Sequence, residues 1–383
     1  MIYFDYNATH PPMLDIVQAN LGRIEANPAN PSGISVASQK NQAWLDRSRK
    51  SIASKFALPP ESVRFCSTGT EATYWMVRCY STPEKRSCIL SSCEHDAMIA
   101  ACEDHGLKIH FLPLDESGQT HPEDLHSLLQ SMDPTEKGAL AFISVIHASN
   151  ETGVIQPLEE LSLIARSAGI PFLSDCIQSI GKIQIPHSCM DAFLLNGHKL
   201  GSMQGCAAMV FAESQIDRIR PLFRGGLQEE ESRAGTENLL AISNFADCLD
   251  VQLNSMEDKM QRLQPLHQKL EAFLISQGVS IAGASSIRLY NTTYAIFSDI
   301  EHMDFLLMGL DQKGIVCSTG SSCKSRTRQP SRVLRAMGFS ESDAMQALRF
   351  SSGLQTTEQD FVALQEALTE LLARLERKKK ARP

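Results

Sequence analysis

The sequence predicts an α/β protein in which a mostly parallel β-sheet is covered by helices on both faces and followed by a smaller α+β unit. Short apolar segments alternate with helical patterns through the first part of the chain, which is typical of parallel strands connected by helices. After Thr236 the pattern changes to long, polar-rich helical sequence, followed by further short apolar segments. With 383 residues, 43% of them hydrophobic, the chain can bury the core of a two-domain enzyme.

The first part of the chain predicts six strands of the main sheet. Before them we expect a short strand at residues 2–5 and helices at about 13–25 and 35–56. Short buried strands are predicted at residues 63–66, 88–91, 109–112, 140–146, 171–174 and 192–195, with a helical pattern at 158–167. Ligands of such sheets bind outside the carboxyl ends of the strands.

The second part of the chain predicts a smaller unit. It should contain a long helical stretch at about 239–277, strands near 291–297, 314–318 and 348–351, helices at 303–313 and 331–337, and a closing helix from residue 357. We therefore expect a large domain at 12–250 and a small domain formed by 1–11 together with 251–383, which ends in a basic tail.

Composition excludes several classes of protein. The formal net charge of -8 gives no overall attraction to nucleic acid or to anionic lipid. No signal peptide and no membrane-spanning segment is predicted, so we expect a cytoplasmic protein. The eleven cysteines include no Cys-x-x-Cys pair, so no metal site is predicted, and most of them read as core residues of a reducing compartment.

Lys199 is the first candidate for chemistry. It follows the apolar residues 192–195 in a short polar turn that also carries His198. Partial desolvation at the end of a strand lowers the pKa of a lysine and makes it a usable nucleophile. A strand-end lysine taken alone more often points to water, but Asp175 ends the preceding predicted strand. A lysine that binds an aldehyde and a carboxylate that keeps a pyridine nitrogen protonated are what pyridoxal phosphate requires.

Two further turns fit the same cofactor. Residues 67–71, Ser-Thr-Gly-Thr-Glu, follow a predicted strand and open a helix, where backbone N–H groups and the hydroxyl of Thr70 can bind a phosphate. An ordinary capped turn is equally common for so short a motif. His95 begins another helix after a strand, where an imidazole can stack on a pyridine ring and transfer protons, although most lone histidines have no catalytic role.

Seven motifs in order resemble those of cysteine desulfurases, class V, fold-type I pyridoxal phosphate enzymes related to NifS and IscS. They are Asp5-Tyr-Asn-Ala-Thr, Glu94-His, His147-Ala-Ser-Asn-Glu-Thr-Gly, Asp175-Cys-Ile-Gln-Ser-Ile-Gly-Lys, Gly197-His-Lys, Arg233-Ala-Gly-Thr and Ser318-Thr-Gly-Ser-Ser-Cys. Singly most of these motifs are weak, but together they cover nearly the whole chain. The resemblance implies the aspartate aminotransferase-like fold.

The resemblance also implies roles for individual residues. Lys199 would bind the cofactor covalently, Asp175 would pair with the pyridinium nitrogen, and His95 would stack on the ring. The remaining cofactor contacts would come from Gly69, Thr70, Asn150, Gln178, Asn196 and His198, with Thr236 reaching in from the second subunit of a homodimer. Asn150 would also lie beside the substrate, and Arg349 would bind its carboxylate.

Cys323 matches the cysteine that receives sulfur in the resembled family. It lies in a polar loop at about 318–328 that also carries Lys324, Arg326 and Arg328, and cations favour the reactive thiolate. The expected reaction converts L-cysteine to L-alanine and leaves a persulfide on Cys323. The sulfur would pass to an acceptor protein, as in iron–sulfur cluster assembly.

Several positions depart from the family pattern, and other activities stay open. The departures are Gly33, Thr73-Tyr74, Asn196 and the turn at 201–205, which suggest a divergent paralogue. The alternatives are another class V lyase or aminotransferase acting on selenocysteine or cysteine sulfinate, and a sulfur-carrier scaffold with little turnover. The joint presence of Lys199, Asp175, His95, Cys323 and Arg349 argues against the scaffold.

Overall fold

The computed structural model describes residues 1–298, 303–320 and 329–380, with only the backbone described at 376–380. Cys323 and the cations predicted beside it lie outside the described residues. Within those residues, no helix combines the length and the apolar character that crossing a membrane requires.

The helices and strands follow the predicted alternation. In chain order the first part contains β1 (Ile2–Tyr3), α1 (Leu14–Ala26), α2 (Val36–Ser54), β2 (Val63–Cys66), α3 (Gly69–Tyr80), β3 (Ser87–Ser91), α4 (Asp96–Asp104) and β4 (Lys108–Leu112). It continues with α5 (Pro122–Ser131), α6 (Pro134–Gly138), β5 (Leu140–Ser144), α7 (Leu158–Ser167), β6 (Phe172–Asp175), β7 (Ala192–Asn196), β8 (Ala207–Phe211) and α8 (Leu239–Asn254). The second part contains α9 (Met256–Ser276), β9 (Ser280–Ile281), β10 (Thr292–Ile296), α10 (Met303–Gln312), β11 (Ile315–Val316), α11 (Arg332–Ala336), α12 (Glu341–Met345), β12 (Ala347–Ser351) and α13 (Glu358–Lys380).

The central sheet has seven strands in the order β2-β8-β7-β6-β5-β3-β4. All of its strands are parallel except β8, which runs antiparallel to both β2 and β7. The predicted α/β class is therefore confirmed. Sequence reasoning missed β8, because its apolar residues follow β7 after a turn too short for the helix that a parallel connection needs.

Apolar residues cover the sheet on both faces. One core packs side chains of α2, α5, α7 and α8 against one face, and a second packs α3 and α4 against the other. Strands buried on both sides carry near-continuous apolar sequence, and every residue of β5 and β7 is buried. A rigid, dry sheet therefore lies under the residues at its edge.

The helical stretch predicted at about 239–277 consists of two helices in the structure. α8 ends and α9 begins at Ser255. Glu257 and Asp258 lie in the first turn of α9, where carboxylates interact favourably with the helix dipole and stabilise a new helix start.

The second part of the chain has its own core and sheet. β10 lies between β12 and β9, antiparallel to both. β1 pairs in parallel with β11, so the N-terminal strand lies against the C-terminal part, and the chain then runs from there to the main sheet. The domain limits at 12–250 and 251–383 stay a prediction.

Candidate active site

The parallel strands bring distant parts of the chain together at one edge of the sheet. β5 lies beside β3, although β4 comes between them in sequence, and such a reversal of strand order opens a crevice at the carboxyl ends. A cavity of about 300 Å³ lies there, which we call the site cavity. Among its lining residues are Gly69, Thr70, His95, Asn150, Asp175, Gln178, Asn196, His198, Lys199 and Arg349.

Lys199 lies in a single helical turn directly after β7. Its Nζ donates hydrogen bonds to the backbone carbonyls of Asn7, at 2.6 Å, and Ala8, at 2.7 Å. The N-terminal segment therefore crosses the site cavity and holds the ammonium there. These two hydrogen bonds orient the ammonium toward the N-terminal segment.

Asp175 is the last residue of β6, the strand next to β7. Its Oδ1 accepts a hydrogen bond from the Ile177 backbone N–H at 2.8 Å, and the side chain is buried. Burial raises the pKa of Asp175, and the Ile177 hydrogen bond and the charge of Lys199 oppose that rise. A cation in the site cavity would therefore stabilise the ionised form of the buried Asp175 carboxylate.

His95 caps the N-terminus of α4. Its Nδ1 accepts a hydrogen bond from the Ala97 backbone N–H at 3.1 Å, so Nδ1 carries no proton and the neutral ring carries its proton on Nε2. The neighbouring Glu94 is buried, and Ser144 donates a hydrogen bond to its Oε1 at 2.9 Å. Burial first, and then the charge of Asp175, raise the pKa of Glu94 to about 8.

The start of α3 forms a candidate phosphate cradle. Thr68 caps the helix by accepting a hydrogen bond from the Glu71 backbone N–H at 3.0 Å. The N–H groups before Glu71 have no acceptor inside the helix, because the first N–H groups of any helix lack one. A Cβ on Gly69 would lie 2.9 Å from the Asn196 amide nitrogen and 3.0 Å from Cδ1 of Ile177. Glycine therefore lets an anion approach this backbone closely.

His198 lies beside this cradle. Its Nδ1 is 3.1 Å from the Thr9 hydroxyl oxygen, and its backbone N–H donates to Oδ1 of Asn196 at 3.4 Å. Burial and the charge of Lys199 lower the pKa of His198 to about 4. The ring is therefore neutral at physiological pH and offers an N–H donor rather than a charge.

Arg349 lies at the far side of the site cavity and is buried. Its Nη1 donates to the backbone carbonyls of Asn150 and Gly320, both at 2.8 Å, and its Nη2 donates to Asp5 at 2.8 Å. Within the described part of the chain its Nε has no hydrogen-bond partner. An unpaired buried donor beside the cavity favours an anionic ligand such as a carboxylate.

Two predicted site residues are not placed in the cavity by the described chain. Thr236 is exposed and is not among the residues that line it. Cys323 lies outside the described residues.

Sequence reasoning also missed residues that the fold brings to the site. Asn7 and Ala8 line the cavity, and Lys182 donates hydrogen bonds to Gln178 and Asn7. Glu94 and Arg332 line it as well. The sequence indicated four of these residues only by position, because Asn7, Ala8, Glu94 and Lys182 lie within the seven motifs that resemble the family.

Similarity to known proteins identifies the family of this chain. The Aminotransferase class-V family model matches residues 2–364. The chain belongs to the class-V aminotransferase family. Among curated relatives, this class-V chain is 31% identical to "Cysteine desulfurase IscS" of Methanosarcina thermophila, over 98% of this chain and 92% of that one. It is 33% identical to "Cysteine desulfurase NifS" of Azotobacter vinelandii, over 94% and 89%.

Solved structures agree with this assignment. The NifS-like protein from Rickettsia africae ESF-5 superposes with a TM-score of 0.87 at 26% identity, covering 97% of this chain and 99% of that one. The fold-type I architecture expected from the sequence is therefore confirmed for this class-V aminotransferase.

The residues of this class-V aminotransferase fit pyridoxal phosphate. The glycine-lined helix start suits a phosphate, the buried Asp175 suits a protonated pyridine nitrogen, and Lys199 suits an aldehyde. All three line the same cavity, whose volume of about 300 Å³ is adequate for a small cofactor.

Proposed function

We propose that this protein is a pyridoxal phosphate-dependent cysteine desulfurase that converts L-cysteine to L-alanine and transfers the sulfur to Cys323. The observation that carries the proposal is the placement of Lys199 and Asp175 at the ends of adjacent strands, in one cavity with a phosphate cradle. The relatives named cysteine desulfurases support the choice of substrate.

Lys199, Asp175 and His95 would act on the cofactor. When bound, pyridoxal phosphate supplies an electron sink for the bonds that break at the substrate amino acid. Lys199 would attach it covalently. The backbone carbonyls of Asn7 and Ala8 would accept hydrogen bonds from the Lys199 Nζ when the lysine is not attached to the cofactor. Asp175 would keep the pyridine nitrogen protonated. His95 would stack on the ring and move protons through Nε2, because Nδ1 is occupied.

The phosphate would be held by N–H groups and hydroxyls of one cradle. Gly69 and Thr70 at the start of α3 would contribute from one side, and Asn196 and His198 after β7 from the other. Gln178 would donate to the phenolic oxygen of the cofactor. These groups are neutral, so they would place the phosphate by hydrogen bonding and by the helix dipole.

The substrate would lie between the cofactor and Arg349. Arg349, whose Nε has no hydrogen-bond partner among the described residues, would bind the cysteine carboxylate, with Asn150 beside it. The Cys323 thiolate would attack the substrate sulfur, so that an S–S bond forms as the C–S bond breaks. Alanine and a persulfide balance the sulfur and the electrons of that step without another oxidant.

A homodimer would complete the site. Thr236 is exposed and would reach the phosphate of the partner subunit. Ile34 and Leu227, exposed by 97% and 79%, lie on two loops joined by a hydrogen bond from Gln228 to Ser32 at 3.2 Å. Exposed apolar side chains brought together in this way would suit an interface.

The sulfur acceptor would be a second protein that meets the Cys323 loop, for example in iron–sulfur cluster assembly. The described free cysteines, most of them buried, fit a reducing compartment such as the cytoplasm.

The proposal is tested by cofactor attachment and by product. The purified protein should be yellow, and borohydride should fix the cofactor to Lys199, as the mass of the peptide will show. Lys199→Ala should lose this attachment and all release of alanine and sulfide from L-cysteine, whereas Lys40→Ala, at an exposed site on α2, should keep both. A wild-type protein that cannot be loaded with pyridoxal phosphate contradicts the proposal. Alanine release without any sulfur on the protein would instead favour another class V lyase.

A further inference from the structure

Lys182 lies directly behind Gln178, on the side away from the site cavity. Its Nζ donates one hydrogen bond to Oε1 of Gln178 at 2.8 Å and another to Oδ1 of Asn7 at 3.0 Å. Both acceptors are amide oxygens of residues that line the cavity. Lys182 itself is not among the lining residues of the cavity in the described chain, so it can act on a ligand only through its neighbours.

These contacts determine which end of the Gln178 amide faces the cavity. The Gln178 Nε2 donates to the Asn7 backbone carbonyl at 2.7 Å, and a carbonyl can only accept. Lys182 fixes the opposite end of the same amide, because its N–H groups require an oxygen. An amide nitrogen has two N–H groups, and only one of them is used by Asn7. Within the described chain Gln178 Nε2 makes no other hydrogen bond, so its second N–H is available to a ligand in the cavity that Gln178 lines.

Asn7 is fixed by the same lysine and by the second part of the chain. Its Nδ2 donates to the Thr292 hydroxyl at 2.9 Å on β10, and its Oδ1 faces Lys182. Its backbone carbonyl accepts from both Gln178 and Lys199. One residue thus joins Lys182, Gln178 and Lys199. Because Asn7 is also held by Thr292 and by Asn291, whose Nδ2 donates to Asn7 Oδ1 at 3.4 Å, the loss of Lys182 should act on Gln178 and leave Asn7 in place.

The contacts of Lys182 do not depend on its charge. Burial, and then the charges of Lys199, Lys259 and Arg349, lower the pKa of Lys182 well below its ordinary value. An ammonium has three N–H donors and an amine has two, so either form can satisfy the two amide oxygens. Hydrogen-bond geometry, rather than a fixed charge, is therefore what Lys182 contributes.

We propose that Lys182 is a positioning residue that holds Gln178 with an N–H group facing the phenolic oxygen of the cofactor. This inference rests on the proposed binding of pyridoxal phosphate. It predicts that Lys182 contributes to cofactor affinity only when Gln178 is present.

A double-mutant cycle on the dissociation constant for pyridoxal phosphate tests this coupling. Apo protein is titrated with the cofactor and followed by its absorption spectrum, for wild type, Lys182→Met, Gln178→Ala and the double variant. Each single change should weaken binding about tenfold, as for a lost buried hydrogen bond. The double variant should bind within about twofold of Gln178→Ala alone. Lys182→Arg, which keeps N–H donors, should restore part of the loss.

Controls separate positioning from folding. Lys269→Met removes an exposed lysine from an ion pair with Glu358 and should leave the affinity unchanged. A purely structural role of Lys182 would lower the melting temperature and weaken binding by the same factor with and without Gln178, which would overturn the inference. Wild-type protein that does not bind the cofactor would overturn both this inference and the proposed function.

A further variant tests the orientation without altering Lys182. In Gln178→Glu an oxygen still faces Lys182, but the N–H group that faces the cavity is lost. Cofactor affinity should therefore fall at least as far as in Gln178→Ala. Binding as tight as that of wild type would mean that an oxygen faces the cavity, and it would overturn the inference even if Lys182→Met fails to fold.

Discussion

Gly69→Ala should weaken cofactor binding by filling the phosphate cradle. The added Cβ would lie 2.9 Å from the Asn196 amide nitrogen and 3.0 Å from Cδ1 of Ile177, both tighter than ordinary contacts. Gly69 is the first residue of α3 and is not among the residues with positive φ, so alanine fits the backbone. The expected loss is therefore steric and local to the cradle.

The magnitude follows from displacement of Asn196. The clash with Asn196 and Ile177 exists with and without cofactor, so its cost of about 1–3 kcal/mol lowers the stability of the apo protein. Rotation of the Asn196 side chain relieves the clash but moves a proposed phosphate ligand. A hydrogen bond to a charged group contributes about 1.5–3 kcal/mol, and each 1.4 kcal/mol changes a dissociation constant by about tenfold, so we expect the dissociation constant for pyridoxal phosphate to rise by about 10- to 100-fold.

Titration of apo protein with the cofactor measures this effect, with melting temperature recorded alongside. Gly22→Ala is the matched control, because Gly22 lies in α1 and a Cβ there would meet nothing within 4 Å. It should leave binding unchanged and stabilise the helix by about 0.5–1 kcal/mol. Affinity of Gly69→Ala within twofold of wild type would refute the assignment of the cradle.

Three further predictions concern charges at the site. Asp175→Ala should bind the cofactor but lower kcat by at least about 100-fold, because the pyridine nitrogen loses its charge partner; near-normal turnover would mean the carboxylate is misassigned. Arg349→Lys should raise KM for cysteine more than it lowers kcat, since lysine cannot reproduce the planar fork, and an unchanged KM would contradict carboxylate binding there. Glu94→Gln should flatten the pH dependence of apo-protein stability. Burial raises the pKa of Glu94 to about 8, so the unfolded chain ionises at lower pH than the folded chain. Relative to the variant, wild type should therefore lose about 1.4 kcal/mol of stability per pH unit between the unfolded pKa of Glu94 and about pH 8. Parallel denaturation curves across that range would count against a buried, protonated Glu94.

The sheet and the groups at its carboxyl edge were predictable because they depend on local patterns. Apolar segments of the right length predicted six strands of the main sheet. The polar residues that follow these segments placed Asp175 and Lys199 at one edge of that sheet. β8 was missed because its apolar residues follow β7 after a short turn, and no spacing rule distinguishes a second strand from the end of the first. The pattern at 239–277 predicted helix without locating the boundary at Ser255, because no glycine or proline lies near it.

The contacts of the N-terminal segment were not predictable from spacing. Asn7 meets Lys199, Lys182 and Thr292 only because β1 pairs with β11 and the chain then crosses the cavity. Contacts between residues almost three hundred positions apart follow from tertiary topology. The hydrogen bond between Arg349 and Asp5 also follows from tertiary topology, because neither sequence segment predicts it alone.

Transfer of sulfur to Cys323 can be followed directly. Loaded enzyme is exposed briefly to L-cysteine without reductant, and its peptides are analysed by mass spectrometry while alanine is measured in the same sample. We expect one added sulfur on the Cys323 peptide in step with alanine, and for Cys323→Ser we expect retained cofactor binding with neither product. Alanine formation at the wild-type rate by Cys323→Ser, with no sulfur on the wild-type peptide, would contradict transfer of sulfur to Cys323.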